Sequence, residues 1–178
     1  MKFCNQCATP LAYGVPPDDN MPRFHCPACL VVHYENPRII TCTLPIWQQQ
    51  ILLCKRAIEP QLGLWTLPGG FMENGETVAE GALRETWEEA RSRPTIRQLL
   101  AIVDLPQYHQ VHMFYLADMP NADCAPTSES SEVALFHPHE IPWDHLAFRT
   151  VRAALEHYVE HRDKGPGLPL LETRITPR

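Results

Sequence analysis

The sequence predicts an α+β fold, a mixed sheet sandwiched between helices, preceded by a small cysteine-bearing module. Three observations predict it. Short apolar runs of strand length both precede and follow a central amphipathic helix, a second amphipathic stretch lies near the end, and four cysteines in two close pairs sit within the first thirty residues. At 178 residues the chain supports one buried core of ordinary size and an appendage. The expected organisation is a module at 1–36, a main domain at 37–162 and a tail at 163–178. The 18 prolines are scattered from Pro10 to Pro177, which predicts many stiffened turns rather than a low-complexity linker.

The first element is Cys4-x2-Cys7, followed after eighteen residues by Cys26-x2-Cys29. Each pair lets two thiolates converge on one ion, and the spacer can form a hairpin that completes a tetrahedron, as in a zinc ribbon. So short a segment has little apolar core, so Zn²⁺ would supply much of its folding free energy in a structural role. A redox pair needs only one such motif. Four thiolates leave no position for His25 or His33, which read as surface or packing residues. Asn36-Pro37 marks the exit, because the residue before a proline is pushed toward extended conformations.

Strands are predicted at 38–44 and 51–54, across a polar Gln48-Gln49-Gln50 turn, and at 64–67, stopped by Pro68-Gly69-Gly70. Four of the eight glycines lie between Gly63 and Gly75, where the backbone must turn sharply or approach something closely, so the chemistry is expected there. A helix follows over 77–90, opened by the capping box Thr77-x2-Glu80 and buried along Ala79, Ala82, Leu83, Thr86 and Ala90. Further strands are predicted at 99–105, 111–117 and 132–136, then a helix over 143–161 and a mobile tail from Gly165-Pro166. There is no internal repeat.

At 3.6 residues per turn, Glu85, Glu88 and Glu89 fall within an arc of roughly 100° on a face different from the buried one. Like charges so placed cost an isolated helix about 0.2–0.5 kcal/mol per pair. Hard oxygen ligands in this number suit Mg²⁺ or Mn²⁺. A solvated acidic face with Arg84 pairing to Glu80 or Glu88 is the alternative.

The order of residues bears on that choice. Gly70-x5-Glu76-x7-Arg84-Glu85-Thr86-x-Glu88-Glu89 resembles the Nudix box, and the flanking Gly63-x-Trp65-x-Leu67-Pro68-Gly69-Gly70 and Asn74-Gly75-Glu76-Thr77 are similar to that superfamily too. The resemblance implies a Nudix α/β/α sandwich in which Glu85, Glu88 and Glu89 are metal ligands and catalytic carboxylates. It implies the Gly70 carbonyl as a backbone ligand, and Arg84 with Glu76 as the pair orienting helix against loop. A further acid is expected at Glu132, with Glu129 as the alternative. The implied chemistry is attack of water on phosphorus, assisted by metal ions. Lys55 and Arg56 would contact phosphate or remain ordinary solvated charges; Tyr108 would stack on an adenine or flavin ring, or pack in its loop. The box is departed from at Thr86, at Arg91 in place of glycine, and at Ser92 in place of an aliphatic residue. These departures bear on the helix terminus, where a non-glycine residue in a left-handed position costs about 1 kcal/mol.

Zinc-ribbon Nudix proteins include NADH pyrophosphatases, which also remove NAD caps from RNA, and a group resembling FAD and ADP-ribose pyrophosphatases. The first group carries Ser-Gln-Pro-Trp-Pro-Phe-Pro after the box; here that region reads Leu105-Pro106-Gln107-Tyr108-His109-Gln110. The second group is matched by Cys54-Lys55-Arg56, by Trp65-Thr66-Leu67-Pro68-x-Gly70-Phe71, and by Glu140-Ile141-Pro142 followed by Leu146-Ala147-Phe148. The resemblance therefore implies hydrolysis of ADP-ribose or FAD to AMP and a phosphorylated product. NADH or nucleoside triphosphate hydrolysis, or a catalytically silent nucleotide sensor, are the alternatives.

Composition excludes several other classes of partner. The formal charge of -6 argues against a general nucleic-acid binder, which needs excess Lys and Arg. No apolar run approaches the roughly 20 residues of a membrane span. Met1-Lys2-Phe3-Cys4 lacks a secretory core, and seven cysteines suit a reducing compartment, so a cytoplasmic location is expected. A homodimer is left open.

Overall fold

Strand pairing follows the apolar runs, and the side chains of the strand Gln50–Arg56 alternate between two helices. The computed structural model describes residues 1–164 and 167–176. The chain divides into compact units Met1–Asn36 and Pro37–Arg178. In the first, β1 (Ala12–Gly14), β2 (Arg23–His25) and β3 (Val32–His33) form an antiparallel sheet in that order.

The second unit contains β4 (Arg38–Trp47), β5 (Gln50–Arg56), β6 (Trp65–Thr66), β7 (Gly69–Phe71), α1 (Val78–Ala90), β8 (Thr95–Leu105), β9 (Gln110–Asp118), β10 (Ser130–Phe136), α2 (Arg149–His161) and β11 (Leu171–Arg174). The sheet order is β10-β5-β4-β9-β8-β11, with β6 added to β5 and β7 to β4. It is mixed because β4 runs parallel to β9 and β11 parallel to β8. Along β5, Ile51 and Leu53 join Val151, Ala154 and Leu155 of α2 in the larger core, whereas Leu52 and Cys54 pack with Ala90 of α1. Period-two alternation thus sends successive side chains to opposite helices, which is the sandwich expected. Each buried leucine here contributes about 1.5–3 kcal/mol.

Four local expectations need correction. Gln48 and Gln49, at φ 46° and 69°, form a two-residue hairpin turn whose twist matches the strands, so Gln50 belongs to β5. Gly69 and Gly70 do not end the sheet: Gly69–Phe71 pairs with β4, so closely that a Cβ at Gly69 would lie 2.7 Å from the Thr41 carbonyl oxygen. The last helix begins at Arg149, because Trp143–His145 is a short 3-10 turn, Leu146 bridges to Trp65, and Ala147 N–H bonds the Trp65 carbonyl at 2.8 Å. Residues 165 and 166, the expected start of a mobile tail, lie outside the described residues; beyond them Leu171–Arg174 is a sheet strand, and Leu171 and Ile175 pack on the core. Among the described residues no helix is long and apolar enough to cross a membrane.

Candidate active site

Helix α1 starts where Thr77 closes a capping box, accepting the Glu80 N–H at 3.2 Å and donating its own N–H to the Glu80 carboxylate at 2.7 Å. Two threonines of β4 fasten the helix to the sheet: Thr41 Oγ1 donates to the Val78 carbonyl at 2.5 Å, and Thr43 Oγ1 lies 2.6 Å from Thr86 Oγ1. Thr86 in turn donates to the Ala82 carbonyl at 2.6 Å, so the departure from an aliphatic residue serves a buried polar link. Thr41 and Thr43, alternating within an apolar strand, carried a sequence signal that pattern reading passed over.

Arg84 organises the acids. Its Nε and Nη2 hold Glu76 at 3.0 and 2.8 Å, its Nη1 reaches Glu85 at 2.8 Å and Glu88 at 3.0 Å, and Nη2 also donates to the Phe71 carbonyl at 3.1 Å. This guanidinium holds the Glu76 carboxyl down at about 2. Of the two partners considered for Arg84, Glu88 is one; Glu80 serves the cap instead. Glu85 lies over Gly70, where a Cβ would stand 2.5 Å from Glu85 Oε1, so a side chain there would displace the carboxylate.

Glu89 is 5% exposed and accepts the Gly69 N–H at 3.1 Å. Burial pushes its pKa up to about 8, against that hydrogen bond; Glu85 and Glu129 add to the rise and Arg56 opposes it. Burial also raises Glu85, against Arg84. The carboxylates are therefore graded rather than set on one open face: Glu89 is buried, Glu85 nearly so, and Glu88 half exposed. As a set they stand wider than the four cysteine thiols, the one group among the described residues whose ligand atoms all lie within 4.8 Å of one another. A divalent cation suits these acids, since it supplies the positive charge that a buried carboxylate needs to ionise.

The remaining candidates separate by strand face. Glu132 lies opposite Lys55, with Nζ to Oε2 at 3.2 Å. Both share the parity of Leu53, Ala134 and Phe136, which pack toward α2, so the structure places Glu132 and Lys55 on the face away from α1. The expectation that Glu132 joins the carboxylates is corrected, and Glu129, whose charge acts on both Glu85 and Glu89, is the acid brought near them. Regular pairing from Glu132 opposite Lys55 to Phe136 opposite Ile51 fixes this face, and the β10 bulge falls before it, between Ser130 and Glu132. Arg56 acts on Glu89 as well. Tyr108 is 61% exposed in the Pro106–Tyr108 turn. Nearby Pro37, Asp104, Pro106, His109 and Val111 line a cavity of about 280 Å³. Arg91 does take the left-handed position, at φ 53°, with its guanidinium 5.2 Å from the Trp87 ring centre. Ser92 is buried.

In the first unit, Sγ atoms stand at 3.6 Å (Cys4 to Cys29), 3.4 Å (Cys7 to Cys26) and 3.6 Å (Cys7 to Cys29). A tetrahedron with Zn–S of about 2.3 Å has edges of about 3.8 Å, so the cysteines fit zinc. The Gln6 and Cys29 N–H groups point at Cys4 and Cys26 sulfurs, as suits thiolates. Neither His25 nor His33 belongs to the group.

The NUDIX domain profile matches residues 37–157, and the Nudix N-terminal zinc-ribbon profile matches residues 2–35. A NAD-capped RNA hydrolase, NudC, of Chromobacterium violaceum is 32% identical over 134 residues, 75% of this chain and 48% of that protein. An ADP-ribose pyrophosphatase of Methanocaldococcus jannaschii is 29% identical over 113 residues, 61% of this chain and 67% of that one. The chain spans about half the length of the NudC relatives it matches. Among solved structures, a NUDIX hydrolase from Nitrosomonas europaea superposes with a TM-score of 0.91 at 46% identity, covering 98% of this chain and 100% of that one.

Proposed function

The chain belongs to the Nudix family, as a hydrolase with an N-terminal zinc ribbon, and from that membership we propose that it is a metal-dependent pyrophosphohydrolase of ADP-ribose or FAD, releasing AMP and a second phosphorylated product. The observation that carries the reading is the graded acid set, with Glu89 buried on the Gly69 N–H and Glu85 laid over Gly70. Glu85, Glu88, Glu89 and the Gly70 carbonyl would hold Mg²⁺ or Mn²⁺, which supplies charge neutralisation of the diphosphate and a more acidic water. Glu85 or Glu129 accepts a proton from that water, Arg56 contacts the diphosphate, and Arg84 holds Glu85 and Glu88 in register. Cys4, Cys7, Cys26 and Cys29 hold a structural zinc.

The substrate assignment is supported by the name of the Methanocaldococcus relative and by the absence of the Ser-Gln-Pro-Trp-Pro-Phe-Pro run. The NudC relatives favour a second reading, hydrolysis of NADH or of an NAD cap. The test is kcat/KM for ADP-ribose, FAD, NADH and nucleoside triphosphates under one metal condition, because specificity is a difference in transition-state binding. A preference of tenfold or more for NADH or triphosphates, about 1.4 kcal/mol, overturns the substrate assignment. Binding without turnover favours the sensor.

A further inference from the structure

Arg56 ends β5 with its side chain held from two sides. Its Nε donates to the Pro60 carbonyl at 2.7 Å, and its guanidinium carbon lies 5.2 Å from the centre of the Phe148 ring. Its backbone N–H bonds Leu64 and its carbonyl accepts from Gly63, both at 2.9 Å. A guanidinium has five N–H donors, so the four on the two Nη atoms remain once Nε is used. No carboxylate pairs with them among the described residues, in a chain with a formal charge of -6. The register sets Arg56 opposite Ser130, and the next N–H, of Ala57, bonds the Glu129 carbonyl at 2.8 Å. The charge of Arg56 acts on buried Glu89.

Phe148 is itself held. Leu146 bridges to Trp65, Ala147 N–H bonds the Trp65 carbonyl, and the ring packs on the larger core just before α2 begins. We infer that Phe148 is a positioning residue for substrate: its ring backs the Arg56 guanidinium so that the free Nη donors are presented, already ordered, to the diphosphate. The inference rests on the hydrolase reading of the site. An arginine immobilised before binding gives up little further rotamer freedom when substrate arrives, so losing the ring weakens binding more than turnover.

The test is a double-mutant cycle of Phe148→Leu and Arg56→Ala, with Phe148→Tyr retaining the ring and Phe148→Met repeating the truncation. The readouts are kcat and KM for ADP-ribose, the Kd of ADP with Mg²⁺, and thermal unfolding. Phe148→Leu and Phe148→Met should raise KM and Kd about fivefold, as for loss of a partly desolvated cation–π contact, with kcat within about twofold. Phe148→Tyr should behave as wild type, and Phe148→Leu should add nothing in the Arg56→Ala background. Equal losses in both backgrounds, or unchanged KM and Kd in folded variants, overturn the inference. The ADP cycle needs no turnover, so a wild-type protein that binds ADP and hydrolyses nothing would end the hydrolase reading while the cycle still decides Phe148. Failure of the wild type to bind ADP ends both.

Discussion

The hydroxyl oxygens of Thr43 and Thr86 lie 2.6 Å apart, both fully buried, and join strand β4 to α1 one residue away from Glu85. The two hydroxyls form one chain, Thr43 donating to Thr86 and Thr86 to the Ala82 carbonyl. Thr86→Val should cost about 1–3 kcal/mol by stranding the Thr43 hydroxyl. The double change to valine should cost less than the sum of the singles, measured by urea denaturation. Strict additivity would show that the contact is incidental.

Gly70→Ala places a Cβ where Glu85 Oε1 now lies, at 2.5 Å. Either the carboxylate or β7 must move. A displacement on the order of 1 Å in a reacting geometry costs about 100-fold, so kcat should fall by roughly that factor while the fold persists. Wild-type turnover with ADP-ribose would remove Gly70 and Glu85 from the reacting centre.

Glu89→Gln should lower kcat at least about 100-fold, because it removes a charge needed at the transition state. The same variant should change the dependence of stability on pH. Glu89 is raised from the ordinary 4.5 to about 8 by burial, so its contribution is most favourable below 4.5, diminishes as pH rises to about 8, and is level above that. Metal-free wild-type protein should therefore lose stability between those values, and the variant should lose less. Denaturation at several pH values with a chelator present checks this; identical slopes would contradict the buried, uncompensated carboxylate.

Glu76 carries the opposite sign. Its carboxyl is held near 2 by Arg84, so it stabilises the fold above 4.5, and that stability is lost as pH falls from 4.5 toward 2. Glu76→Gln should be less stable than wild type at neutral pH and should converge with it in acid. A constant difference at all pH values would show that Arg84 is not the cause.

Protein purified without added metal should contain about one zinc per chain, and Cys26→Ser or strong chelation should unfold the first unit, since its three short strands bury little apolar surface. Elemental analysis with backbone NMR checks this. A metal-free, fully folded ribbon would refute the assignment.

Local spacing made much of this protein legible before any fold was seen. Helical periodicity placed α1 and brought Glu85, Glu88 and Glu89 to neighbouring positions, the capping box located its first turn, and the paired cysteines marked the ribbon, because each depends only on residues a few positions apart. What the tertiary structure decided depends on partners distant in sequence. Gly69–Phe71 became a strand because β4 offered an edge, α2 lost its first turn because Leu146 and Ala147 bond β6, and Leu171–Arg174 joined the sheet through β8. The pairing of β10 with β5 set Glu132 opposite Lys55 on the far face, and the packing of α1 on β4 buried Glu89 while leaving Glu88 half exposed. Burial and strand parity are properties of the assembled sheet. A one-residue change of register reverses every side chain beyond it, and neither the residue nor its neighbours encode which register the distant strand will supply.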